Sequence, residues 1–146
     1  MLKLIQTLGE NILDLLSQDP IRPHIPAQDR VGDNRDIFVL KNEDDSVRAI
    51  TCVSYQNSIP ESEQDLFKSS AEPDTAVFYT IWSYKPGAGK ELIFDAVNYI
   101  KENKKNITKF VTLSPKTEMA KRFHTKNGAI IFRENADTTN YQYLHR

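Results

Sequence analysis

Gly87-Ala88-Gly89, flanked by Lys85 and Lys90, is the chemistry-bearing cluster with the clearest physical meaning in this chain. Glycines allow positive φ and let a ligand approach the backbone closely. An apolar stripe of Leu92, Ile93, Ala96, Val97 and Ile100 follows at helical spacing. A helix that begins there leaves unpaired N–H groups and a dipole that favours an anion. The arrangement suits a phosphate or pyrophosphate, although the same glycines also serve a plain turn. The nucleotide P-loop pattern fails twice: Tyr84 stands where its first glycine belongs, and Glu91 where its magnesium-binding hydroxyl belongs. The dinucleotide pattern fails at Leu92, and the turn comes too late in the chain for it.

The remaining reactive side chains are sparse. Cys52 is the single cysteine, which excludes an internal disulfide framework and a Cys-rich zinc site. It lies in a strand pattern, where a buried thiol acts as a small hydrophobe. His24, His124 and His145 share no metal-ligand spacing, so no metal is expected. There is no G-x-S-x-G elbow. Lys101, Lys104, Lys105 and Lys109 read as a solvated helix end.

The chain has 146 residues, 39% hydrophobic and 27% charged, with a formal net charge of -1. That length suits one domain over residues 1–146, with a core that needs no disulfide or metal. A near-neutral balance gives no global field for a nucleic-acid backbone, so nucleic acid is not an expected partner. No stretch approaches the ~20 apolar residues of a spanning helix. Residues 1–16 are apolar but interrupted by Glu10 and Asp14, without the basic head or cleavage site of a signal peptide. A cytoplasmic protein with no membrane partner is expected.

The elements that must position the turn follow from periodicity. Leu4, Leu8, Ile12 and Leu15 predict one helix over residues 1–16, ended by Asp19-Pro20. Pro20, Pro23 and Pro26 keep the next stretch irregular. Strands are expected at 37–40 and 47–55, as a hairpin through the turn 42–45. Residues 58–74 are polar, with one helical turn near 61–67. A strand at 75–83 is apolar on both faces and therefore central. The glycine turn and its helix follow, then a strand at 107–113. Ser114 is expected to cap a helix with Pro115 at its first position, running to about residue 127 and burying Met119, Ala120 and Phe123. Strands at 129–133 and 141–144 complete the chain, the last a possible edge. The fold class is mixed α/β: a mostly antiparallel sheet around a central parallel β-α-β unit, with helices on both faces.

Two stretches in register resemble the GCN5-related N-acetyltransferases. The apolar strand 75–83, Gly87 and Gly89 and the helix opening Leu92-Ile93 resemble that family's Q/R-x-x-G-x-G/A segment. Ala120, Phe123 and Gly128 fit its later N-x-x-A-x-x-L-Y-x-x-x-G-F frame. The order of elements also matches. Tyr84 replaces the usual Gln or Arg, Thr117 the usual Asn and His124 the usual Tyr.

The resemblance implies a GNAT-like acyl-CoA N-acyltransferase fold and transfer of an acetyl or other acyl group from acyl-CoA to an amine. It implies that strands 75–83 and 107–113 splay, with the pantetheine arm between them. Trp82, Ser83, Tyr84, Lys85, Gly87, Ala88, Gly89, Lys90, Ser114 and Thr117 are then the expected acetyl-CoA-binding residues. His124, at the family's proton-donating position, is the candidate catalytic group. An imidazole near its ordinary pKa of ~6.5 donates a proton near neutral pH. No general base stands out among Glu61, Glu63, Asp36, His24 and Tyr79. The replaced motif residues leave a second reading open: a degenerate member that binds or interacts without turnover. A homodimer is a possible assembly, and the amine acceptor is not readable.

Overall fold

The computed structural model describes residues 1–68 and 70–143. Its sheet is built from β1 (Leu2–Ile5), β2 (Arg35–Lys41), β3 (Val47–Gln56), β4 (Thr75–Ser83), β5 (Lys109–Thr112), the short β6 (Ser114–Pro115), β7 (Ala129–Glu134) and β8 (Thr138–Tyr143). The spatial order is β1-β2-β3-β4-β5-β8, with β6 continuing beside β8 and β7 on its far side. Among the described residues only β4 and β5 pair in parallel; the other pairings are antiparallel. The helix α2 (Ala88–Asn103) makes the crossover between β4 and β5. This is the mixed sheet with a central β-α-β unit that the sequence predicts.

Alternation across the strands divides the core. Phe38, Leu40, Val53, Ala76, Phe78 and Phe110 face α2, whose Leu92, Ile93, Ala96, Val97 and Ile100 are buried against them. Each large side chain so buried contributes about 1.5–3 kcal/mol. The opposite faces of the same strands, with Ile37, Val39, Ile50, Cys52, Val77 and Val111, receive Ile12 and Leu16 of α1 (Glu10–Leu16) and Ile25. Cys52 is wholly buried, and burial pushes its thiol up to about 11.

The expected N-terminal helix is two elements. Leu2–Ile5 pairs with Ile37–Leu40 as an edge strand, and only Glu10–Leu16 is helical. Leu2 and Leu4 fit both periods over so short a run, and the free edge of β2 decides for the strand. Gly9, with ψ 173, separates them.

The helix α3 (Glu118–Lys126) also departs from expectation. Ser114 and Pro115 pair with Thr139 and Thr138 as β6, and Thr117 caps the helix, its hydroxyl accepting the Ala120 N–H at 3.1 Å. A strand partner for Ser114 outweighs its capping preference. Met119 is 80% exposed, and Ala120 and Phe123 are half-buried. The buried side chain is His124, stacked on Tyr141 with its Nδ1 2.7 Å from the Tyr143 hydroxyl. Burial lowers its pKa to about 4.

β8 begins at Thr138 and lies inside the sheet; the outer edge is β7, where Ile130, Ile131 and Phe132 are exposed. Leu144 and His145 lie outside the described residues.

A buried ion pair pins the irregular segment after α1. Arg30, fully enclosed, donates Nη1 to Asp19 Oδ2 at 2.9 Å and Nη2 to the carbonyls of Arg22 and Ile25. Asp19 Oδ1 accepts from the Ile21 and Arg22 amides and from Thr80 Oγ1 on β4. Both carboxylate oxygens and all three guanidinium nitrogens are hydrogen-bonded, which is the condition under which such a pair is tolerated. Asp19→Ala leaves Arg30 uncompensated and is expected to lower stability by about 3–5 kcal/mol, read from urea unfolding followed by the fluorescence of Trp82.

A second expectation follows from His124. Its folded-state pKa is below its unfolded one, so the unfolded chain binds the extra proton between about pH 6.5 and 4. Stability contributed by the neutral ring is full above that window and falls as pH drops through it, by about 3 kcal/mol. His124→Phe is expected to flatten that part of the stability–pH curve.

Candidate functional site

The site is organised by where β4 loses its partner. Thr75–Phe78 pairs with Lys109–Thr112, and the Leu113 N–H donates to the Phe78 carbonyl at 3.1 Å. Beyond that bond β4 continues to Ser83 on β3 alone, while the other chain turns into β6 beside β8. The two strands therefore part, as the resemblance implies. At the same place the β3 register shifts between Cys52 and Val53, so Tyr79 has no residue opposite it. A bulge of this kind re-aims backbone groups and increases local twist.

The far end of the parting is the glycine turn. Gly87 has φ 80, a conformation natural to glycine, and begins α2 without a side-chain cap. The Ala88 amide donates to the Lys85 carbonyl, whereas those of Gly87, Gly89 and Lys90 have no protein acceptor among the described residues. Residues 83–87 and Lys90 are exposed; Ala88 and Gly89 are buried. Gly89 has a second duty that the sequence does not reveal. A Cβ there would lie 3.0 Å from the Phe123 ring, so this glycine lets α3 close against the start of α2. Arg48 of β3 fixes the same helix end through Glu91 at 3.0 Å.

Residues 82–90 run consecutively from the end of β4 through the turn into α2. Trp82 is buried on the α1 face and donates Nε1 to the Tyr84 hydroxyl at 3.0 Å; that hydroxyl donates to Gln18 Oε1 at 2.6 Å. Ser114 follows directly on the last β5 contact, buried, with its hydroxyl on Thr112 Oγ1. Thr117 is in the same neighbourhood of chain, but its hydroxyl serves the α3 cap. His124 faces β8, not solvent; a neutral ring bonded to Tyr143 at ordinary pH lacks the proton expected of it.

The candidate bases separate cleanly. Asp36 accepts the Tyr55 hydroxyl at 2.6 Å, and Glu61 is exposed. The Tyr79 hydroxyl is buried without a partner among the described residues, and burial raises its pKa further. Glu63 and His24 meet: Glu63 Oε2 is 2.6 Å from His24 Nε2, and Glu63 Oε1 accepts Arg22 Nε at 2.9 Å. Arg22 in turn donates Nη1 to the carbonyl of the bulge residue Tyr79. No local pattern announces this connection, because Glu63 lies 41 residues from Arg22 and 39 from His24, and Tyr79 lies 57 from Arg22. Nothing among the described residues groups three metal-ligating side chains, and no helix there is long and apolar enough to cross a membrane.

No family model and no curated protein sequence matches the chain; the similarities are structural. A malonyl-CoA decarboxylase from Rhodopseudomonas palustris superposes with a TM-score of 0.76 at 19% identity, over 98% of this chain and 59% of that one. The chain spans only 33% to 59% of the length of the malonyl-CoA decarboxylases it matches. A Bacillus subtilis acetyltransferase in complex with CoA gives 0.69 at 13% identity, over 99% and 98% of the two chains. The GNAT domain of S. lividans PAT gives 0.68 at 12%, over 97% and 88%. With its parted β4 and β5 and the glycine turn between β4 and α2, the chain has the GNAT-superfamily fold.

Proposed function

We propose that this protein binds acyl-CoA along β4 and transfers the acyl group to an amine. The observation that carries the reading is the unpaired edge of β4 beyond Phe78, leading to a turn whose Gly87, Gly89 and Lys90 amides lack protein acceptors among the described residues. An extended, amide-bearing arm satisfies such an edge, and a pyrophosphate satisfies such a turn. Lys85 and Lys90, both exposed, supply charge. The neighbours that bind CoA or act on malonyl-CoA support the same class of ligand.

In the reaction the amine nitrogen attacks the thioester carbonyl carbon, the C–S bond breaks, and the thiolate takes up a proton. A backbone N–H of β4 near Ile81–Ser83 would stabilise the developing oxyanion, often a large part of such catalysis. His124 packs against Tyr141 and Tyr143 and is neutral at ordinary pH. We therefore assign the thiol proton to the attacking nitrogen, with His124 holding α3 in place.

A second reading, decarboxylation of a carboxyacyl-CoA, is favoured by one observation: an Agrobacterium vitis malonyl-CoA decarboxylase is 23% identical over 84% of this chain, against 12–13% for the B. subtilis and S. lividans structures above. Conversion of malonyl-CoA to acetyl-CoA without an amine would establish it. Amine-dependent thiol release from acetyl-CoA establishes transfer, and CoA binding with neither leaves a binding module.

Calorimetry with acetyl-CoA tests the common element; no heat at millimolar ligand removes it. The double variant Lys85→Glu/Lys90→Glu is expected to weaken CoA binding at least tenfold, about 1.4 kcal/mol, while unfolding as the wild type does.

A further inference from the structure

We infer that His24 is the base that takes the proton from the acceptor ammonium, with Glu63 and Arg22 as its positioning residues. The inference rests on the acyl-transfer reading and gives it the group it lacks. A carboxylate only accepts, so in the neutral imidazole the 2.6 Å contact fixes the proton on Nε2 and leaves the lone pair on Nδ1. Nδ1 has no partner among the described residues, and the side chain is 61% exposed. Glu63 cannot turn away, because its other oxygen is held by Arg22, a buried guanidinium. The arrangement is that of a base oriented by a carboxylate that is itself oriented.

Its position follows from the same bonds. One guanidinium separates Glu63 from the Tyr79 carbonyl, and Tyr79 is the first β4 residue past the last bond to β5. The base is thereby tied to the closed end of the parting, opposite the phosphate-binding turn. A thioester lies there when the carrier's pyrophosphate occupies the turn and its arm follows β4. Glu61, exposed two residues before Glu63 and in no ion pair among the described residues, gives the approach a negative charge. The substrate class that fits is a primary ammonium.

The step balances as follows. His24 Nδ1 takes one proton from the ammonium, and the free amine adds to the carbonyl carbon. Collapse breaks the C–S bond. The proton still surplus on nitrogen passes to the sulfur, giving the amide and the CoA thiol, and His24 returns its proton to solvent.

The test is thiol release from acetyl-CoA against a panel of polyamines and lysine peptides. His24 is exposed, so His24→Ala folds normally. It is expected to lower kcat about 100-fold, leave KM for acetyl-CoA unchanged, and recover at least tenfold on adding imidazole. Glu63→Gln presents an N–H to Nε2, favours the opposite tautomer, and is expected to give a comparable loss. A His24→Ala kcat within twofold of wild type, or a loss that imidazole leaves unchanged, overturns the inference alone. A wild type that binds CoA yet releases no thiol with any amine overturns the inference and the transfer reading together.

Discussion

The hydrogen bond from the Leu113 amide to the Phe78 carbonyl is the last between β4 and β5, and the organisation of the molecule follows from its being the last. A central strand without a neighbour leaves main-chain donors and acceptors that must be satisfied elsewhere. Here the protein answers only in part. The Tyr79 carbonyl is taken by Arg22, and the rest of the strand runs on toward Gly87 with β3 as its only strand partner. The bulge at Tyr79 lies at the same point, so the loss of one ladder and the irregularity of the other coincide.

That answer requires the segment between α1 and β2 to be rigid. A long irregular stretch would ordinarily be mobile. Asp19 and Arg30 convert it into a buried scaffold anchored to Thr80, one residue past the bulge. The segment between β3 and β4 is held from the other side: Asn140 Nδ2 reaches the Pro60 carbonyl, Thr138 the Glu61 carbonyl and Arg133 the Ile59 carbonyl. Two segments whose regular structure, among the described residues, is limited to the 3-10 turns Ala27–Arg30 and Glu63–Phe67 are thus joined by the Arg22–Glu63 pair.

The sequence carried the fold further than the site. Residues 75–83 are apolar on both faces because the strand is covered on both, and that is visible in one dimension. The glycine turn is visible for the same reason: Gly87 answers a local backbone demand. The first strand was hidden because four residues cannot distinguish period 2 from period 3.6, and its partner lies more than thirty residues away. Ser114 was misread because its local capping preference yields to a strand contact with Thr139. His124 matched a family position while its environment, made by Tyr141 and Tyr143, sets its protonation. The Arg22–Glu63–His24 connection depends wholly on long-range folding, and each residue alone is an ordinary polar residue.

The contact between Gly89 and Phe123 sets a dimension of the molecule. With no methyl group at position 89, the start of α2 and the flank of α3 approach to the thickness of one aromatic ring. The spacing of the two helices at this point is then a matter of side-chain bulk at two positions. A methyl group at position 89 would press on that ring, so the helices could keep their approach only if Phe123 gave way.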